Sequence, residues 1–148
     1  MTEGARLLFL LFVGMWVGVI ELAALAVPLL VRRLGRDTAW PALHPFLALA
    51  DLQGVWAGAL GAAVLFFGRT GYGIAWAVAM GLLALMVTAS LYDRAVLLPS
   101  LDAATKRLAA GPDPHWESEW RFLWRMAGWG RWLTFLMAWG AVVCAFVA

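Results

Sequence analysis

Four separate stretches of this chain are each apolar for about as long as a helix needs to cross a bilayer, and that feature limits the fold more than any other. A crossing takes about 20 apolar residues at 1.5 Å of rise each. The qualifying stretches run over roughly 7–31, 45–67, 72–98 and 124–147. Of the 148 residues 64% are hydrophobic and 14% charged, against about 25% charged in a soluble domain. The apolar excess is gathered into blocks rather than spread at the spacing of a soluble core, so lipid is the expected solvent of those blocks. The expected fold is all-α: one transmembrane domain, a four-helix bundle, embedded in a bacterial inner (cytoplasmic) membrane.

The first block is unbroken and ends in Pro28-Leu-Leu-Val-Arg32-Arg33, which reads as a retained span rather than a cleaved leader. Orientation follows from the basic residues. If the first and third connections face the cytoplasm, they and their adjoining helix ends hold Arg32, Arg33, Arg36, Arg94, Lys106, Arg107, Arg121, Arg125 and Arg131, which leaves Arg6 and Arg69 outside. The excess predicts both termini outside the cytoplasm.

The segment 99–123 is expected to be a cytoplasmic loop with internal order. Ser100 after Pro99 is placed to cap a short interfacial helix through Leu108, which Gly111-Pro112-Asp113-Pro114 breaks. A new helix is expected from Asp113 as N-cap, with Pro114 at its first position. Trp116, Trp120 and Trp124 recur every four residues beside an i, i+4 pair of Glu117 and Arg121, and read as interfacial anchors. Between the second and third spans, 68–71 reads as a tight Gly-Arg-Thr-Gly turn.

Spans in lipid associate through close backbone contact at small residues. Gly14 and Gly18 make such a step in the first span, and Gly54, Gly58 and Gly61 in the second. Glu21 follows Gly14 by seven residues and Gly18 by three, while Asp51 precedes Gly54 by three and Gly58 by seven. Each carboxylate therefore shares a helix face with its glycines, and both are expected to point into the bundle. Counted from the cytoplasmic helix ends, Asp51 lies about 9 Å deep and Glu21 about 15 Å. Asp93, Arg94 and Arg131 fall in the same half. An ionised side chain near the bilayer centre costs at least about 2.5–3.5 kcal/mol, so these groups are expected to pair or to reach water. Two arrangements stay open: an ion-pair network that fixes helix order, or a polar pocket for a proton, cation or small polar ligand built around Glu21. Pro28, which cannot donate to the carbonyl of Ala24, marks a possible kink one turn away. His44, between Pro41 and Pro45, is a candidate to join Asp51 on one face.

Little else in the sequence carries chemistry. Cys144 is the sole cysteine, and His44 and His115 are the two histidines. No disulfide framework, no Cys/His metal cage and no nucleophilic triad is expected, and no cofactor, catalytic residue or nucleic-acid partner is predicted. The expected partners are the bilayer and other membrane subunits or a second copy. The sequence reading favours a non-enzymatic accessory or scaffold subunit of a larger membrane complex. Its alternative is a small oligomeric proton, cation or small-solute transporter using the intramembrane carboxylates.

Several short pieces carry a resemblance: Val31-Arg-Arg-Leu-Gly-Arg-Asp37 after a glycine-bearing span, Leu49-Ala-Asp51, Thr70-Gly71, Leu98-Pro99, and Glu119-Trp-Arg-Phe-Leu-Trp-Arg125 before a Trp-rich span. In these the chain resembles a bacterial domain-of-unknown-function family of predicted four-helix integral membrane proteins. Members of that family often carry a first-span histidine, and Leu10-Leu-Phe-Val-Gly14 has none. The first-span Gly14, Trp16 and Gly18 and the proline near Arg32 are similar to the transmembrane-protein-205 type. The resemblance implies the four-helix fold and no particular reaction.

Overall fold

The computed structural model describes residues 3–68, 73–111 and 113–147. Its helices are α1 (Glu3–Leu34), α2 (Arg36–Phe67), α3 (Ile74–Tyr92), a π-helical turn (Asp93–Leu97), α4 (Leu98–Ala110) and α5 (Pro114–Val147). Four continuous rods, 3–34, 36–67, 74–110 and 114–147, are long and apolar enough to cross a membrane, so the chain is a multi-pass membrane protein. The Gly-Arg-Thr-Gly turn and the start of the third span at Tyr72 lie largely outside the described residues, as does Pro112.

The rods are longer than the apolar blocks that announce them. The expected basic loop before His44 is helical from Arg36, and Gly35 alone, at φ 79°, turns the chain between α1 and α2. That left-handed conformation suits glycine. Most of the expected loop 99–123 is also helical, because α4 runs on from the π turn to Ala110 and α5 starts at Pro114. No separate interfacial helix forms. Ser100 does not cap; its hydroxyl donates back to the Val96 carbonyl at 2.7 Å within the helix. Asp113 does accept from the His115 N–H at 2.8 Å, which satisfies a donor at the start of α5. Pro28 sits inside α1 without ending it.

Proline has a larger effect at position 99. It has no N–H to give, and its ring crowds the carbonyl four residues back. One residue earlier the ladder has already widened, and the Leu98 N–H donates to the Asp93 carbonyl, five residues behind. The wide turn lets the neighbours Leu97 and Leu98 both be buried.

In cross-section the rods form a square, with α1 beside α2 and α5, and α3 beside the same two. Two apolar cores lie one above the other. The upper is built on Phe9, Val13, Trp16, Leu83 and Met86 with the alanines of α5. The lower is built on Leu43, Leu47, Leu98, Leu101 and Trp120. Close approach of α2 to its neighbours needs glycine at two positions. A Cβ at Gly54 would lie 2.5 Å from Trp16 Nε1 and 2.6 Å from Ser90 Oγ, and one at Gly58 would lie 2.5 Å from Val87 Cγ2. Trp16 uses the space beside Gly54 to donate to the Ala50 carbonyl at 3.3 Å.

At the α4 end, polar groups clasp the rods. Arg36 Nη1 meets Glu117 Oε2 at 2.7 Å, and Arg121 Nε reaches the other oxygen of Glu117 at 3.1 Å. Trp40 donates to Asp102 at 3.0 Å, and Trp120 donates to Thr105 Oγ1 at 3.1 Å. Trp120 stacks on Trp124 at 5.2 Å, while Arg107 lies 4.3 Å over Trp116. Of the expected anchor stripe, Trp116 and Trp120 are thus packed against α4 and Arg36, and Trp124 borders a recess beside α1. The well-exposed indoles are Trp56, Trp129, Trp132 and Trp139.

Two outcomes follow. Gly54→Ala should lower stability by about 1–3 kcal/mol through overpacking, measured by denaturant titration in mixed micelles, whereas Gly14→Ala should change it by less than about 0.5 kcal/mol. The Arg36 guanidinium holds the Glu117 carboxyl below its ordinary value of 4.5, with Arg121 adding to the effect. A carboxylate depressed in the fold stabilises it above its unfolded value and loses that contribution as pH falls through the folded one. Amide protection near the starts of α2 and α5, corrected for the intrinsic exchange rate, should therefore fall below pH 4.5, and Glu117→Gln should abolish that acid dependence.

Candidate functional site

Between the two apolar cores three of the four rods carry buried polar side chains, over a stretch of about three turns in each. In α2 the stretch holds Asp51, in α3 and the π turn Ser90 and Asp93, and in α5 Arg131 and Thr134; all five are buried. The heights agree because Asp51 separates Leu47 from Ala57, Asp93 separates Met86 from Leu97, and Arg131 separates Ala127 from Ala138. The site is a polar layer across the bundle.

Arg131 organises it. Its charge bears on both Asp51 and Asp93, and the charge of Arg94 bears on Asp51. Asp93 lies against the backbone of α5, where a Cβ added at Gly130 would be 3.3 Å from Oδ1. Arg94 itself is exposed and donates from Nη1 to the Ala48 carbonyl at 2.6 Å. Thr134 spends its hydroxyl on the Arg131 carbonyl at 2.9 Å. Yet the opposite charges do not close into direct pairs: Asp51 Oδ2 and Arg131 Nε are both buried and make no hydrogen bond. Unpartnered buried polar atoms are uncommon, and each asks for a cause such as strain, catalysis or a bound water or ion.

Glu21 stands at the same height, between Ile20 of the upper core and Ala23 of the lower, but on the other side of its helix. It is exposed, and so are Gly14 and Gly18. Nothing lies within 4 Å of a Cβ built at either glycine. The expectation that this face packs inside the bundle is therefore corrected. The larger inward side chains Phe9, Val13, Trp16, Val17 and Ile20 take the core side of α1, and the glycine and Glu21 face is what remains. Gly54, Gly58 and Gly61 do lie inside, against α1 and α3. His44 does not join Asp51. It lies beside Trp40 with rings 5.6 Å apart, in a 320 Å³ recess shared with Asp37, Asp102 and Lys106. Among the described residues no three His, Cys, Asp or Glu side chains gather to hold a metal.

Ser90, Gly130, Thr134 and the π turn belong to the site and were not singled out from sequence. Ser90 sits three residues before Asp93, a spacing that places both on one helix face. Pro99, inside a continuous helical run, was the signal for the π turn.

Compared with family models, curated proteins and solved structures, the chain matches none of them.

The layer makes one energetic demand. Removing Arg131 strands two buried carboxylates, and breaking such a set costs about 3–5 kcal/mol. Arg131→Met should show that loss in nanodisc thermal unfolding. Adding Asp51→Asn to Arg131→Met should recover part of it, giving a non-additive cycle of at least about 0.5 kcal/mol.

Proposed function

We propose that this chain is a non-enzymatic accessory subunit that packs against other membrane proteins in a larger inner-membrane complex. The observation that carries this reading is the face of α1 on which Gly14 and Gly18 meet nothing. Each glycine in a helix interior costs about 1 kcal/mol relative to alanine. Inside the protomer these two return no packing, while the glycines of α2 do. A small-residue step open to the outside suits close approach by a second helix. The exposed indoles Trp129, Trp132 and Trp139 of α5 add large apolar surface for further contact.

In the membrane we place both termini outside the cytoplasm, with the α4 end inside. Arg94 and Arg131 belong to the polar layer and add nothing to the asymmetry, yet Arg32, Arg33, Arg36, Lys106, Arg107, Arg121 and Arg125 still gather at the α4 end, against Arg6 and Arg69. That gathering supports the placement.

A second reading has its own observation. The unpartnered atoms of Asp51 and Arg131 suit an oligomeric protein that moves protons, cations or small solutes. Asp51→Asn in reconstituted vesicles separates the two: loss of flux with intact folding favours transport.

The accessory reading is tested with Gly14→Leu/Gly18→Leu. Both side chains enter open space, so the protomer should keep its melting temperature within a degree or two, while a complex isolated in mild detergent by tagged wild-type chain should be lost. A wild-type chain that purifies as a monomer, or a complex indifferent to the double variant, removes the proposal.

A further inference from the structure

Between the outer sides of α1 and α5, level with the polar layer, is a cavity of about 310 Å³ lined by Ile20, Glu21, Ala24 and Leu25 of α1 and by Arg131, Trp132 and Phe135 of α5. Its rim is open, since Glu21, Leu25 and Trp132 are exposed. Its inner wall is Arg131, 8% exposed, whose Nε–H is buried with no acceptor. Glu21 offers a carboxylate that no described residue engages by hydrogen bond or ion pair. Apart from these two groups the lining is apolar, and Trp132 and Phe135 meet edge to face at 5.6 Å.

We propose that this cleft binds a quinol, a neutral lipid-soluble ring with a hydroxyl at each end. Four observations narrow the class. The mouth opens on the lipid-facing side of the bundle, so the ligand arrives through the acyl layer. Glu21 lies about 15 Å along α1 from the end of the apolar block at Val31, near the middle of a hydrocarbon core about 30 Å thick, which is too deep for a phospholipid headgroup. The charged groups on the lining are one carboxylate, Glu21, and one guanidinium, Arg131, so the cleft carries no excess charge for an ionic head to neutralise. What remains is a neutral head that accepts from the Arg131 guanidinium and donates to the Glu21 carboxylate. A quinol hydroxyl does both, whereas a quinone only accepts, so the reduced form is preferred. The flat indole and phenyl walls suit a ring, and the volume admits a ring with a short stretch of tail. Ala24 lines this cavity and also the smaller one of about 90 Å³ beside Pro28 and Gly128, which makes it the position from which to fill the cleft.

The test uses the full chain in quinone-free nanodiscs, with ubiquinol-1 or ubiquinone-1 added under anaerobic conditions and bound ligand measured by equilibrium dialysis against empty discs. Saturable uptake beyond the empty discs is expected, with the quinol bound about tenfold or more tighter than the quinone, the range of one hydrogen bond to a charged group. Glu21→Leu should abolish that preference while leaving the circular dichroism unchanged. Ala24→Phe should abolish saturable uptake of both forms. Uptake no greater than into empty discs, or unchanged in Ala24→Phe, overturns the proposal. So does equal competition by a long-chain alcohol, because recognition then rests on a hydroxyl without the ring.

Discussion

Everything in this bundle is arranged around the cost of holding charge away from water. Asp51, Asp93 and Arg131 come from three different rods and meet at one height, where none is tolerable without the others. That requirement helps to fix which helices are neighbours and at what stagger, alongside the close contacts of Gly54 with Trp16 and of Gly58 with Val87. The cores above and below shield the layer, and the layer contributes to their register. The glycines of α2 serve the same end, because only a thin helix lets Trp16 reach the Ala50 carbonyl immediately over Asp51.

The four apolar blocks made the four spanning helices readable, and the spacing of Gly54 and Gly58 from Asp51 placed all three on the inner side of α2. The same arithmetic applied to Gly14, Gly18 and Glu21 identified a shared face and assigned it to the wrong side. Periodicity relates residues on one helix to each other; it does not say which side the rest of the protein occupies. In α1 the choice was made by Phe9, Val13, Trp16 and Ile20, whose apolar bulk fills a core, and in a chain where the solvent is also apolar that competition leaves little trace in the sequence. The extents of the rods were hidden for a different reason. Hydropathy reports where lipid is, and helices continue past it wherever polar side chains such as Arg36, Glu117 and Asp102 find partners.

The glycines of the two spans show how one motif reads in opposite senses. In α2 an added methyl group would collide with Trp16 and Val87, and in α1 it would meet nothing. The first pair is consumed in building the protomer and the second is left over. Glu21 lies on the leftover side, at the height of the buried charges, so the internal layer has an outpost on the surface, with Arg131 reaching both.

The widened turn at Asp93–Leu97 has a mechanical meaning. From Ile74 to Ala110 the backbone is one rod whose lower end sits in the polar clasp. Proline withholds one donor at 99 and the bond from Leu98 spans an extra residue, so flexure of that rod concentrates at this point. The acid buried on the rod begins this same turn. A sideways push on the lower end therefore pivots beside Asp93, which makes the turn a fulcrum and the emergent α4 its short arm.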